Sequence, residues 1–207
     1  MNDVRLNSNR FVCGIWLFCV TVFSVPVCIL LHELGHFSAY VAFGYDSPAL
    51  HYSSSGFPGD SEFWSNLQSG NRKEALKIAD ITQMGIAALL GLLVSYAIVG
   101  IGIWIYVRFS LVEGLCFAAS SAARFPLVAV LFMIGKQHHD EAHVEQALGF
   151  PEVILFSIGV GCTIASTLGA AYLLNRRKSV WQIVPIIVGV FVSTICWMNG
   201  VGALLIP

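Results

Sequence analysis

Charge is what this sequence has least of. Asp, Glu, Lys and Arg make up 11% of its 207 residues, against about a quarter in a soluble domain. So few charges cannot coat a globule of this size, and lipid is the expected solvent. Neither sign dominates. The net charge of −1 excludes the basic balance of a nucleic-acid binder. No CxxC occurs. The six cysteines, Cys13, Cys19, Cys28, Cys116, Cys162 and Cys196, all lie in apolar stretches without zinc-ligand spacing, and read as small packing residues. There is no solenoid-length repeat, low-complexity tract or second domain. What is abundant is apolar: 57% of residues are hydrophobic, and the mean hydropathy is +0.76.

A bilayer core of ~30 Å needs about 20 apolar residues per helix. The first apolar run, residues 11–44, exceeds that and is interrupted only by His32, Glu33 and His36. Arg5 and Arg10 precede it, but the run is too long for a signal peptide. Residues 45–80 are polar. They are expected to form a loop with a short amphipathic helix over 71–80, with Phe63 and Trp64 at the lipid interface. A second span is expected over 81–107, where Gly85, Gly91, Gly100 and Gly102 would let another helix approach closely. A third covers 111–135, with an interfacial Glu113 near its start and Arg124 and Pro126 mid-run. A polar helix follows to Leu148, stopped by Gly149 and Pro151. The fourth and fifth spans cover 153–174 and 180–205. The prediction is a single all-α domain: a polytopic transmembrane helical bundle of about five spans, integral to a membrane, with a polar loop after the first helix. Six Lys/Arg (5, 10, 108, 176, 177, 178) fall on the N-terminal side and four (72, 73, 77, 136) on the other. This leans toward a cytoplasmic N-terminus.

His32-Glu33-Leu34-Gly35-His36 is an HExxH motif. On a helix, positions i and i+4 share a face. Two imidazoles so placed can grip one zinc ion while Glu33 serves as general base toward a coordinated water. Three ionisable side chains within an apolar helix cost a few kcal/mol each to insert, and metal binding would offset that cost.

A catalytic zinc usually takes a third protein ligand. Besides His32 and His36, the histidines are His51, His138, His139 and His143. His51 lies in a loop and reads as a surface residue. The cluster His138-His139-Asp140-Glu141-Ala142-His143 closes the third apolar stretch, on the same side as the end of the first span. Asp140, Glu141, His143 and His139 are all open as the third ligand. Asp140 also suits a helix N-cap, and His139 and His143 could pair at i, i+4. Arg124, inside an apolar run, is a functional candidate or the partner of a neighbouring carboxylate.

The HELGH and its continuation through residues 37–44 resemble the first core helix of the site-2-protease-type intramembrane zinc metallopeptidases. The stretch Gly85-Ile-Ala-Ala-Leu-Leu-Gly91 is weakly similar to that family's small-residue second helix. The resemblance covers residues 11–150 and is specific over 32–44. It implies a three-helix core, Zn2+ held by His32 and His36, and Glu33 as catalytic base. It also implies Asp140 as third ligand by position. The third element departs from the family: N-x-x-P-x-x-x-x-D-G is absent, Pro126 lies fourteen residues before Asp140, and Glu141 stands where glycine belongs. The asparagine that would bind the substrate carbonyl has no counterpart, and no PDZ-like insertion is visible. The implied activity is zinc-dependent proteolysis of a membrane-embedded or membrane-proximal peptide, the 45–80 loop serving as gate or platform. Two other functions compete. One is a metal enzyme acting on a lipid, as amide hydrolase or oxidase; histidine-box oxidases use about eight histidines on two irons, and this chain has six. The other is a non-catalytic metal-binding membrane protein.

Overall fold

The computed structural model describes residues 2–134, 139–176 and 179–206. It is an all-α bundle. Among the described residues, four helical segments are long and apolar enough to cross a membrane: Arg10–Phe43, Ile81–Phe109, Glu152–Tyr172 and Val180–Leu205. They belong to helices α1 (Asn2–Phe43), α4 (Ile81–Phe109) and α8 (Glu152–Arg176), and to the stretch holding α9 (Ile183–Cys196) and α10 (Gly202–Leu205). Large apolar side chains such as Phe11, Trp16, Phe23, Trp104, Leu168 and Phe191 point outward, as expected where the outer solvent is lipid.

The apolar stretch 111–135 forms two ten-residue helices, α5 (Glu113–Ala122) and α6 (Arg124–Met133). At 1.5 Å per residue each spans about 15 Å, half a bilayer core. The break has a chemical cause. Pro126 has no N–H for the Ala122 carbonyl and its ring crowds that turn, so it is tolerated only in the first turn of a new helix. Glu113, expected at the interface, accepts a hydrogen bond from Trp16 Nε1 at 2.9 Å.

The polar segment is more ordered than a loop. A two-stranded antiparallel hairpin, β1 (Ala49–Leu50) and β2 (Ser55–Gly56), leads into α2 (Asp60–Gln68) and α3 (Arg72–Ile78). The last lies within the helix expected over 71–80. Phe63 and Trp64 are not at a lipid interface: they are 0% and 7% exposed. They pack with Tyr40, Ala75, Ile81 and Met84 in a core that caps the ends of α1 and α4. The segment has its own apolar face, and burying it inward outweighs anchoring two rings in headgroups.

α1 is central, packing against α4, α5 and α9, while α7 (Asp140–Leu148) lies along α4 and α8 contacts α5, α6 and α7. Small residues set the spacing. A Cβ on Gly85 would meet Leu148 and Ala147 of α7, and one on Gly102 would meet the Gly114 carbonyl of α5. Gly100, expected to serve likewise, faces open space.

Pro26 lies inside α1 and leaves the Val22 carbonyl without its helical donor. Ser193 of α9 fills the gap: its Oγ donates to Val22 O at 2.7 Å, and it is 3% exposed. Ser193→Ala should therefore destabilise the detergent-solubilised protein by about 0.5–1.5 kcal/mol. In a Pro26→Ala background, where the backbone can satisfy Val22 itself, the same substitution should cost close to nothing. Thermal unfolding of the four proteins measures the coupling.

Candidate metal centre

His32 and His36 lie one helical turn apart on α1, and their imidazoles are aimed by the facing helix. His32 Nδ1 lies 2.7 Å from Gly91 O, and His36 Nδ1 lies 2.8 Å from Ala87 O. Ala87 and Gly91 are themselves one turn apart on α4, so two i, i+4 ladders mesh. Each carbonyl keeps a lone pair beyond its helical bond and accepts the Nδ1 proton. That fixes the tautomer and leaves both Nε2 lone pairs free for a metal. Ser95 Oγ adds a third contact at 3.0 Å from His32 Nδ1.

The mesh needs two backbones in near contact. A Cβ on Gly35 would lie 3.0 Å from Leu90 O and 3.1 Å from Gly91 Cα, and one on Gly91 would strike the His36 ring.

Asp140, the first residue of α7, brings its carboxylate to the same point. Its Oδ2 is 3.0 Å from His32 Nε2, its Oδ1 is 3.5 Å from His36 Nε2, and the two Nε2 atoms are 3.1 Å apart. Bonds of about 2 Å to a single ion place neighbouring donors about 3.3 Å apart in a tetrahedron. The three separations bracket that value. Among the described residues, His32, His36 and Asp140 form a group that could hold a metal ion. Burial would raise the Asp140 carboxyl, but His36 and Arg124 hold it well below the usual carboxylate range. This favours the ionised form, which a ligand needs.

The other candidates for third ligand are engaged elsewhere. Glu141, 1% exposed, turns its Oε2 to 3.6 Å from Arg124 Nη2 and 3.5 Å from His139 Nδ1. His139, not Asp140, is the N-cap of α7, and its Nε2 lies 3.1 Å from Glu152 Oε1. His143 stacks on Trp64 with ring centroids 3.9 Å apart. His51 is exposed, in the turn of the hairpin. His138 lies outside the described residues.

Glu33 is 9% exposed and its Oε2 accepts from Ser55 Oγ at 3.1 Å. Its electrostatic neighbours are His36, His32 and Asp140. The hairpin carrying Ser55 is tied on its far side by Trp197 Nε1, which donates to Tyr52 O at 2.9 Å. Sequence reasoning missed Ser55, Ser95 and the two α4 carbonyls, because nothing local marks a residue as the partner of a side chain tens of positions away. Arg124 was marked by its charge, and it reaches the site: Nη2 donates to Asp140 Oδ2 at 2.8 Å, and Nη1 lies 2.9 Å and 3.1 Å from the two ring nitrogens of His32.

No protein-family model, curated protein or solved structure matches the chain.

The clash at Gly91 gives a direct test. Gly91→Ala should displace His36 and cut bound metal to a small fraction of the wild-type content, whereas Gly100→Ala should leave it unchanged. Elemental analysis of the purified proteins compares them. A second test concerns Asp60, beside this site at the start of α2. Burial pushes its carboxyl from 3.8 up to about 6, against hydrogen bonding from Trp64, the charge of His36 and hydrogen bonding from Tyr40. The folded state thus holds this proton more tightly than the unfolded chain does. Asp60 should therefore make stability fall as pH rises from about 4 to about 6, with no further change above. Asp60→Asn should remove that component, seen as a flatter melting-temperature profile over the same range.

Proposed function

We propose that this chain is a zinc-dependent membrane hydrolase that cleaves a peptide bond in or beside the bilayer, as a divergent, compact relative of the site-2-protease-type metallopeptidases. The observation that carries the proposal is the convergence of two imidazole Nε2 atoms and one carboxylate within 3.0–3.5 Å of one another. A buried glutamate neighbours this cluster on the same helix. Two nitrogens and one oxygen suit zinc, and three protein ligands leave a coordination position open, the pattern of catalytic rather than structural sites.

When bound, zinc would acidify a water and polarise a carbonyl. The remaining work falls to the chain. Gly91 and Ala87 hold the imidazoles in the metal-binding tautomer. Ser55 restrains the Glu33 carboxylate, which takes the proton of the attacking water and delivers it to the departing amide nitrogen. The hairpin and its cap of α2 and α3 cover this end of the bundle and would limit water at the site. A helical substrate has its carbonyls tied up in hydrogen bonds, so it must unwind locally before attack.

One observation favours a lipid amide as a second reading. An apolar cavity of about 320 Å³ lies between α4, α5 and α8, lined by Tyr96, Val99, Ile103 and Leu115 among others. Tyr96 follows Ser95 and stacks on Phe125, the neighbour of Arg124. An acyl chain fits such a lining.

The protein purified in detergent should contain about one zinc per chain, lost in His32→Ala/His36→Ala. Glu33→Gln should keep the metal while cleavage of single-span peptides in liposomes, followed by mass spectrometry, falls by about 10²–10⁴-fold. Two irons per chain would replace hydrolysis by lipid oxidation, and protein without bound metal would end the metalloenzyme reading.

A further inference from the structure

We propose that Arg124 is a catalytic residue of this site: its Nη1 donates to the oxyanion that forms as the substrate carbonyl is attacked. The proposal rests on the hydrolytic reading above.

The guanidinium is held from the side of α7. Nη2 donates to Asp140 Oδ2 at 2.8 Å and lies 3.6 Å from Glu141 Oε2. Glu141 is fully buried, and that oxygen lies between Arg124 and His139, so its charge bears on the arginine from the α7 side. The ring of Phe125 lies 5.9 Å from the guanidinium carbon. The side chain is 20% exposed. A cation so fixed needs little rearrangement when charge develops beside it.

Nη1 is placed differently. Its neighbours are His32 Nδ1 at 2.9 Å and His32 Nε2 at 3.1 Å. Neither is an acceptor once a metal is bound. Nδ1 carries the proton given to Gly91 O, and the single Nε2 lone pair is committed to the ion. Among the described residues the Nη1 protons are therefore left without an acceptor, next to His32 Nε2, one of the three atoms that would hold the metal. A substrate oxygen drawn to the site would satisfy them.

The step balances as ordinary hydrolysis. The water oxygen adds to the carbonyl carbon, and the π pair moves onto the carbonyl oxygen, which Nη1 holds. Glu33 takes the water proton. As that pair returns, the C–N bond breaks and Glu33 gives its proton to nitrogen, leaving acid and amine. Arg124 stays protonated throughout.

The alternative role is positioning: Arg124 orients Asp140 and touches nothing else. Two anions separate the roles. The full chain in detergent is loaded with Co(II), and its visible spectrum is titrated with inorganic phosphate and with azide. Phosphate offers a metal-bound oxygen and a second one for Nη1, whereas azide asks only for the metal. Arg124→Ala should keep its cobalt, bind phosphate about 10-fold more weakly or worse, and bind azide within about twofold of wild type. Arg124→Lys should recover part of the phosphate affinity. In cleavage assays Arg124→Ala should lose about 10²-fold in kcat with KM unchanged. Loss of cobalt, parallel weakening of both anions, or unchanged phosphate binding and kcat would each overturn the proposal while wild-type cleavage left the hydrolytic reading standing. Wild-type protein that binds cobalt and cleaves nothing would overturn both.

Discussion

The close approach of α1 to α4 at Gly35 and Gly91 is the constraint on which the site depends. Lipid offers no hydrophobic drive to press helices together, so contact must come from shape and hydrogen bonding. Here shape permits the bonding. Only with a hydrogen at position 91 does the His36 ring fit against α4, and only then do the carbonyls of Ala87 and Gly91 reach both Nδ1 atoms. A histidine turned away would leave a polar N–H in an apolar interior, at a cost of 1–3 kcal/mol or so. Packing and ligand orientation are thus one interaction. α7 follows from the same helix: Gly85 makes room for Ala147 and Leu148, which lays α7 along α4 and delivers Asp140 at its first turn.

Behind the donor atoms runs a chain of ionisable side chains. His32 and His36 meet Asp140, Asp140 meets Arg124, Arg124 faces Glu141, Glu141 faces His139, and His139 meets Glu152 at the start of α8. Each member would be costly alone in a low-dielectric interior, and each has a polar or oppositely charged neighbour. The chain ties α1, α6, α7 and α8 through polar contacts where apolar packing alone would leave their rotation loose.

What was legible in the sequence follows the range of the signal. Long apolar runs and the i, i+4 spacing of HExxH are local, so the helical bundle and the pairing of His32 with His36 could be read directly. The third donor depends on how α7 sits on α4. The residues alone therefore left Asp140, Glu141, His139 and His143 open, with only the resemblance favouring Asp140, until the packing set it toward the histidines and the rest toward Arg124, Glu152 and Trp64. Gly91 and Gly100 look alike in the sequence, yet one faces His36 and the other open space, because the face of α4 each occupies is a tertiary fact. The interfacial expectation for Phe63 and Trp64 failed for the same reason. Amphipathic aromatics beside a span suit a headgroup layer equally well, until a neighbouring segment offers a dry core. Pro126 carried the information that 111–135 is broken, and hydropathy averaged over the window masks it.

The length of α1 has a consequence for water. From Arg10 to Glu33 the helix rises about 35 Å, slightly more than the ~30 Å of hydrocarbon in a bilayer. With Arg10 at one headgroup layer, Glu33 comes level with the other. The HExxH end of the helix then sits at the shore of the membrane rather than at its depth. At that level the proposed hydrolysis would draw water and protons from the adjoining aqueous phase. On the proposed reading, a bond lying deep in a bilayer would have to rise to this level before it could be cut.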